Sequence, residues 1–253
     1  MIPARAETRA ETEEHLKEGQ ILKLLIIIPA YNESENIIRV IEELKQTIPQ
    51  YDYVIINDGS ADGTAAICRK QGYHLIDLPV NLGLTGAFQT GMRYAWEAGY
   101  EAAIQIDADG QHDPAYIPDM VRVMQEKEAD MVIGSRFVSE KKPKTLRMFG
   151  NTIIERAVRF TTRKRLADPT SGMRLYNRKL IREMAFEVNF SPEPDTVSYL
   201  LRCGIKVEEV QVHIRERIAG ESYLNLAKSM KYMVQMCMNI LFIQWVRKRS
   251  VLK

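Results

Sequence analysis

The feature that most constrains the fold is a repeated alternation of apolar runs with amphipathic segments through the first half of the chain. The apolar runs, each ended by turn residues, cover residues 22–28, 53–56, 74–78, 102–106 and 131–134. Segments with helical spacing of apolar residues lie between them, at residues 34–47, 62–70, 85–98 and 114–128. Short apolar runs are typical of parallel strands buried on both faces, and repeated strand–helix units predict an open, mostly parallel sheet with helices on both sides.

The second half of the chain follows a different pattern. A basic, partly amphipathic segment precedes a smaller mixed region, for which we predict strands at residues 171–176 and 206–214, a helix at 177–186 and a final long helix at 224–249. With 253 residues, of which 45% are apolar, the chain suits one large α/β domain. The predicted organisation is a polar extension at residues 1–20, an α/β domain at 21–223 and a C-terminal amphipathic helix at 224–253.

Two aspartates, Asp107 and Asp109, directly follow the apolar run at residues 102–106. Ligands of open parallel sheets bind beyond the carboxyl ends of the strands, where these carboxylates are expected to lie. Paired carboxylates suit Mg²⁺ or Mn²⁺, which share such ligands with substrate phosphates and can stabilise a diphosphate leaving group. An ordinary turn rich in aspartate and glycine is the alternative interpretation, and the position after a strand favours the metal site.

Three other loops have residues suited to a nucleotide. After the first strand, Tyr31 can stack on a base and Glu33 can accept hydrogen bonds, although this segment can also simply cap the next helix. After the second strand, the Asp58 carboxylate can bind a base imino group, or the segment is an ordinary strand-to-helix turn. The glycine-rich segment at residues 81–87 offers free amides at a helix start, and tight helix–sheet packing explains its glycines equally well.

In this order and spacing, the four segments resemble the inverting family 2 glycosyltransferases, which have the GT-A fold. The resemblance covers roughly residues 24–224 and is closest to the dolichyl-phosphate mannose synthases and bacterial polyprenyl-phosphate glycosyltransferases. Further support comes from residues 134–137, 168–176, 204–210 and 217–222. The resemblance implies a Rossmann-like sheet, a nucleotide-sugar donor and direct displacement with inversion at the anomeric carbon.

The resemblance also implies a role for each matching position. The metal ligands would be Asp107, Asp109 and Gln111. The nucleotide-sugar would be bound by Pro29, Tyr31, Glu33, Asp58, Gly83, Asp107 and Ala108, with Asp58 reading the base. Phosphate groups would be bound by Arg136, Arg147, Arg217 and Ser222, with Arg136 and Arg217 also acting in catalysis. Guanidinium groups suit this role because they bind phosphate in bidentate fashion.

Two positions depart from the family pattern. Asn57 stands where many relatives have an aspartate, a change that the neighbouring Asp58 is expected to compensate. Tyr223 stands where polyprenyl-phosphate enzymes often have lysine, which weakens the assignment of an acceptor-phosphate site.

The acceptor decides whether the reaction needs a general base. A phosphate monoester has its second pKa at about 6 and is already a nucleophile near neutral pH. A sugar hydroxyl would need a carboxylate to take its proton, for which Asp195 or Glu193 is the candidate. The flanking prolines instead favour a rigid helix start capped by Asp195, and the sequence leaves both interpretations open.

The C-terminal segment bears on where the protein acts. The apolar stretch at residues 233–246 is too short and polar for a bilayer span, but with Trp245 and the basic residues 247–249 it fits docking on anionic lipid. Packing on the domain or on a partner fits equally well. We expect a cytoplasmic protein, peripheral on the inner face of the plasma membrane, because residues 1–20 lack a signal-peptide core and the three cysteines lie far apart. A small membrane protein or a homo-oligomer can supply the anchor.

The predicted function is metal-dependent transfer of a hexose to polyprenyl (undecaprenyl) phosphate for cell-surface glycan synthesis. UDP-glucose or UDP-N-acetylglucosamine is placed ahead of GDP-mannose as donor. The alternatives are a transferase that extends a glycan hydroxyl and a catalytically silent nucleotide-sugar-binding scaffold. A nucleotidyltransferase is disfavoured, because residues 29–33 lack the glycine-rich, basic loop of that class. A net charge of +2 gives no argument for nucleic-acid binding.

Overall fold

The computed structural model describes residues 22–143, 145–187, 191–215 and 226–243, without the side chains of residues 146, 147, 226–230 and 243. The strands are β1 (Leu24–Ala30), β2 (Asp52–Asn57), β3 (Leu75–Asp77), β4 (Ala102–Gln105), β5 (Met131–Ser135), β6 (Arg174–Asn177) and β7 (Val207–Gln211). The helices are α1 (Ile37–Thr47), α2 (Thr64–Lys70), α3 (Gly83–Glu97), α4 (Ile117–Glu126), α5 (Leu146–Thr162), α6 (Arg178–Phe186), α7 (Pro194–Arg202) and α8 (Leu226–Met238).

The seven strands form one sheet in the order β3-β2-β1-β4-β6-β5-β7. Neighbouring strands are parallel except where β6 pairs antiparallel with β4 and with β5. The mostly parallel sheet predicted from the alternating pattern is therefore confirmed. The reversal at β6 was not predicted, because the four residues of this strand carry no signal of direction.

Strand β1 lies in the parallel part of the sheet and divides the core into two layers. Its side chains alternate between the two faces, so Leu25 and Ile27 pack with α3, while Ile26 and Ile28 pack in the layer that contains α1. Gly91 of α3 lies directly against Ile27, and any side chain at this position would push the helix off the sheet. Burial on both faces explains the continuous apolar sequence of β1.

Several helix starts differ from the prediction, and three of them have a visible cause or consequence. Helix α1 begins at Ile37 rather than at residue 34, because a tight turn in which the Asn36 amide donates to the Glu33 carbonyl at 3.0 Å comes first. A short 3-10 turn, Pro114–Tyr116, precedes α4. Helix α7 is preceded by Glu193 at the cap position, so the expectation that Asp195 caps this helix is wrong, and Asp195 lies in the first turn.

The C-terminal helix α8 packs on the domain. Met236 of this helix and Ile240 of the turn that follows it are buried in the same core layer as β5, and both segments contact α5 and α7. After Met238 the helix widens into one π-type turn, Asn239–Ile243. Trp245, the basic residues 247–249 and the predicted N-terminal extension lie outside the described residues.

Candidate active site

The position of β1 between β2 and β4 brings the predicted donor and metal loops together. Strand β1 lies between β2 and β4 and is parallel to both, so the three segments that follow these strands leave the sheet side by side. The Asp58 amide donates to the Ala30 carbonyl at 2.8 Å, and the Ile106 amide donates to the Ile27 carbonyl at 3.1 Å. The predicted residues on this edge are Pro29, Tyr31, Glu33, Asp58, Asp107, Ala108 and Asp109.

The turn after β4 is closed by its own side chains. The His112 imidazole accepts a hydrogen bond at Nδ1 from the Asp107 amide at 3.0 Å, and the Asp109 carboxylate accepts one from the Gln111 amide at 3.0 Å. Gly110 has φ +77°, a conformation that glycine adopts without strain. No role was predicted for His112, because its burial and its hydrogen bond with the Asp107 amide have no signal in the sequence.

The two carboxylates have unlike surroundings. The Asp107 side chain is 42% exposed, whereas Asp109 is 2% exposed. Gly172 packs closely beside both residues of this turn, since a Cβ there would be in van der Waals contact with the Asp107 Oδ2 atom at 3.6 Å and with the His112 ring at 3.4 Å. One carboxylate is thus accessible to a ligand and the other is held in the turn.

These residues fit a divalent cation that is shared with a substrate. Among the described residues no group of three or more histidine, cysteine or acidic side chains could hold a metal ion by itself. Mg²⁺ and Mn²⁺ sites of one or two carboxylates completed by substrate phosphates are common, and the exposure of the Asp107 side chain allows such an arrangement. Gln111 donates from Nε2 to the Arg215 carbonyl at 3.2 Å, so its Oε1 atom is the one suited to a cation.

The donor-side loops are tied to one another by hydrogen bonds. Tyr31 is exposed beside Asn32, whose φ of +56° turns the chain sharply at the end of β1. The Glu33 amide donates to the Thr64 hydroxyl at 2.9 Å, and the Glu33 carboxylate accepts from the Asn36 side chain at 2.8 Å. Tyr31 therefore presents its ring at the sheet edge, while Glu33 also stabilises the start of α1.

Asp58 links the second loop to the glycine-rich segment. Its carboxylate is buried and accepts a hydrogen bond from the Leu82 amide at 2.7 Å. The next residue, Gly83, has φ +74° and begins α3. One oxygen of Asp58 thus holds the backbone that leads into this helix, and recognition of a base by Asp58 stays a prediction.

Residues 25–185 match the sequence model described as Glycosyl transferase family 2. The chain belongs to this family. The resemblance that the motifs indicated is confirmed, and the protein is a glycosyltransferase rather than a scaffold or a nucleotidyltransferase.

Curated relatives of this family 2 glycosyltransferase match over most of their length. An undecaprenyl-phosphate mannosyltransferase of Micrococcus luteus is 29% identical over 219 residues, which cover 81% of this chain and 88% of the relative. A polyprenol monophosphomannose synthase of Mycolicibacterium smegmatis is 26% identical over 216 residues, which cover 80% and 81%.

Solved structures show the same fold. Glucosyl-3-phosphoglycerate synthase from Mycobacterium tuberculosis, in complex with Mn²⁺, UDP-glucose and phosphoglyceric acid, superposes with a TM-score of 0.66 at 16% identity. The match covers 98% of this chain and 87% of that chain. The predicted GT-A fold is therefore confirmed.

A second polar cluster of the glycosyltransferase lies around Arg136, at the end of β5. The guanidinium group donates two hydrogen bonds to the Asp168 carboxylate, at 2.6 and 2.9 Å, and Asn151 of α5 donates to the same carboxylate at 2.8 Å. Burial raises the pKa of Asp168, but the hydrogen bond and charge of Arg136 outweigh this effect and hold the pKa below its usual value. Arg136 is thus engaged in a structural pair, and binding of phosphate by this residue stays a prediction.

The other predicted phosphate ligands are not placed by the structure. Arg217 and Ser222 lie outside the described residues, as does the side chain of Arg147, whose backbone belongs to the first turn of α5. Their roles therefore stay predictions. The backbone of Arg147 lies one helical turn before Asn151, which donates to Asp168 in the Arg136 cluster.

The candidate bases Glu193 and Asp195 are both bound by the C-terminal helix. The Tyr232 hydroxyl donates to the Glu193 carboxylate, and the Asn239 side chain donates to Asp195 at 3.1 Å. Burial raises the pKa of Glu193, and its hydrogen bond with Tyr232 opposes this effect only in part. The structure gives both carboxylates partners within the fold, and a role of Asp195 in catalysis stays a prediction.

Proposed function

We propose that this glycosyltransferase transfers a hexosyl group from a nucleotide-sugar to polyprenyl phosphate, with inversion, for cell-surface glycan synthesis. The names of both curated relatives support a polyprenyl-phosphate acceptor. They also name mannose, so GDP-mannose replaces UDP-glucose and UDP-N-acetylglucosamine as the first donor to test.

The observation that carries the lipid acceptor is a stripe of phenylalanine and arginine along the solvent face of α5. Phe149, Ile153 and Phe160 are 63%, 37% and 81% exposed, and Arg156 is exposed between them. The spacing of these four residues places them on one side of α5, and the exposed Arg163 follows at its left-handed C-cap. Apolar rings between cationic groups are typical of helices that lie in the interface of anionic bilayers. We call this row the α5 stripe.

Helix α8 packs against α5, where Gly150 contacts the side chain of Met233. Val234 and Met238 of α8, and Phe242 of the turn after it, are exposed apolar residues. The predicted membrane helix thus has one face in the core and one face available to lipid. Among the described helices none is both long and apolar enough to cross a membrane. Binding to the inner face of the plasma membrane through α5 and α8 is therefore part of the proposal, whereas a small membrane-protein partner or a homo-oligomer stays a prediction.

The reaction needs only groups that the proposed substrates and the site can supply. An oxygen of the acceptor phosphate attacks the anomeric carbon, the bond from this carbon to the diphosphate breaks, and the nucleoside diphosphate leaves with the electron pair. Asp107 and Asp109, with Gln111, would hold Mg²⁺ or Mn²⁺, which neutralises charge on the leaving diphosphate. No base is needed, because the acceptor phosphate has no proton to lose in this step. This agrees with the hydrogen bonds that engage Glu193 and Asp195 within the fold.

The test is a transfer assay with purified protein, Mg²⁺ or Mn²⁺, labelled GDP- and UDP-sugars, and short-chain polyprenyl phosphate. Label is expected in the organic phase, and Asp109→Asn, which keeps the acceptor for the Gln111 amide, is expected to lower kcat by about 100-fold or more. Asp119→Asn on the exposed face of α4 is the matched control and should retain full activity. Transfer to a glycan hydroxyl, with polyprenyl phosphate inert, would refute the proposal and favour Asp195 or Glu193 as a base.

A further inference from the structure

Asn57, the last residue of β2, lies beneath the loops that we assign to the donor nucleotide. It is buried, and its Nδ2 atom donates to the Asp77 carboxylate of β3 at 2.6 Å. The other oxygen of Asp77 accepts from the Arg69 guanidinium. Both oxygens of the Asp77 carboxylate are thus acceptors. The Asn57 side chain must therefore present its NH₂ group, and not its oxygen, to Asp77.

The opposite end of the Asn57 amide continues the chain of hydrogen bonds toward β1. The Ser60 hydroxyl donates to the Asn57 Oδ1 atom at 2.5 Å. The same hydroxyl accepts from the Asn32 amide at 2.9 Å, and the Asn32 side chain accepts from the Ala61 amide at 2.9 Å. This chain joins the ends of β3, β2 and β1 and holds Asn32 in its left-handed conformation, next to Tyr31.

We propose that Asn57 is a positioning residue for the donor nucleotide, which acts by orienting the loop that carries Tyr31. The inference rests on the proposed function of these loops. An aspartate at this position could not donate to Asp77, so two carboxylates would face each other at hydrogen-bonding distance. Asparagine at position 57 therefore suits aspartate at position 77, since one side chain donates and the other accepts. The asparagine that stands where many relatives have aspartate is thus explained by its partner at the end of β3.

The test compares Asn57→Asp, Asp77→Asn and the double variant. Nucleoside diphosphate affinity is measured by calorimetry with GDP and UDP in the presence of Mn²⁺, together with KM for donor and for acceptor. Asn57→Asp is expected to weaken nucleotide binding and raise the donor KM by about tenfold, with the acceptor KM unchanged. The double variant should recover to within about threefold, because an asparagine at position 77 can donate to an aspartate at position 57.

Two further measurements separate positioning from general stability. Asp52→Asn, at the opposite end of β2, changes the same strand away from the loops and should leave the donor KM unchanged. Amide hydrogen exchange at residues 31–33 and 58–61 should accelerate in Asn57→Asp and return in the double variant.

Three outcomes would overturn the inference: a lower melting temperature in Asn57→Asp with unchanged nucleotide affinity, no recovery in the double variant, or unchanged exchange in these loops. The exchange measurement needs no ligand. Failure of the wild-type protein to bind any nucleoside diphosphate would instead refute the proposed function, while the exchange rates would still decide whether Asn57 orients the loop.

Discussion

Gly59 and Gly72 both have positive φ angles, +62° and +67°, but their surroundings differ. A Cβ at Gly59 would lie 2.6 Å from the backbone of both Val80 and Asn81, whereas a Cβ at Gly72 would meet nothing within 4 Å. The loop after β2 therefore approaches the segment before α3 as closely as two backbones can. Single residues at this edge set the distance between the loops that we assign to the donor.

Replacing each of these glycines by alanine separates backbone strain from crowding. Gly72→Ala should lower the free energy of unfolding by about 1–2 kcal/mol, the cost of a left-handed alanine. Gly59→Ala should lower it by about 3 kcal/mol or more and should also weaken nucleotide binding, since the two loops must move apart. Urea unfolding and calorimetry with GDP or UDP measure the two effects. Equal losses of stability in both variants would show that crowding of position 59 against residues 80 and 81 does not affect the free energy of unfolding.

Helix α5 has two faces with distinct roles. Its inner face contributes Ile154 and Val158 to the core and Asn151 to the Asp168 cluster, and its outer face carries the α5 stripe. A helix that only covered the sheet would present polar residues to water. The element therefore connects the polar cluster at the end of β5 with the surface that we assign to lipid.

The membrane role of α5 predicts a loss of vesicle binding when its rings are removed. Phe149→Ser and Phe160→Ser should each weaken binding to phosphatidylglycerol vesicles by about tenfold or more, because burying one such ring is worth about 1.5–3 kcal/mol. Arg156→Gln with Arg163→Gln should weaken binding to anionic vesicles only. Ile38→Ser, which changes an exposed apolar residue of α1, is the control. Co-sedimentation that is equal for all variants would contradict the assignment.

The Arg136–Asp168 pair joins β5, α5 and the segment before β6. The folded-state pKa of Asp168 lies below its unfolded value, so its stabilising contribution is present above about pH 4 and is lost as the pH falls further. Asp168→Asn should therefore lower the free energy of unfolding by about 3 kcal/mol at pH 7. The difference from wild type should shrink toward pH 3. Urea unfolding at several pH values tests this expectation, and a difference independent of pH would contradict it.

For the whole molecule, the sequence predicted what depends on local pattern and missed what depends on distant partners. The parallel strands and the position of Asp107 and Asp109 after β4 followed from apolar runs ended by turn residues. The pairing of Arg136 with Asp168 did not, because these residues are 32 positions apart and meet only when β6 enters the sheet. The hydrogen bonds from Tyr232 to Glu193 and from Asn239 to Asp195 also join residues far apart in the sequence, so no local pattern predicted them.

Some of the residues that the family resemblance assigns to the site lie outside the part of the chain that the structure describes. Asp58, Tyr31 and the two aspartates lie together at one edge, as their positions after neighbouring strands implied. Arg217 and Ser222 fall in residues that the structure does not describe. The structure therefore brings together residues predicted for the donor, whereas two of those predicted for the acceptor phosphate lie outside the described residues.

The insertion of β6 between β4 and β5 has a consequence for synthesis on the ribosome. The nascent chain completes β4 and β5 well before residues 174–177 leave the exit tunnel, and these two strands have no contact as neighbours in the finished sheet. Until β6 arrives, the edges that it later fills carry unpaired backbone groups, which are prone to wrong pairing with other chains. A translational pause before residues 174–177 have left the tunnel would prolong this exposure, whereas a pause after they have left it would let β6 fill both edges first.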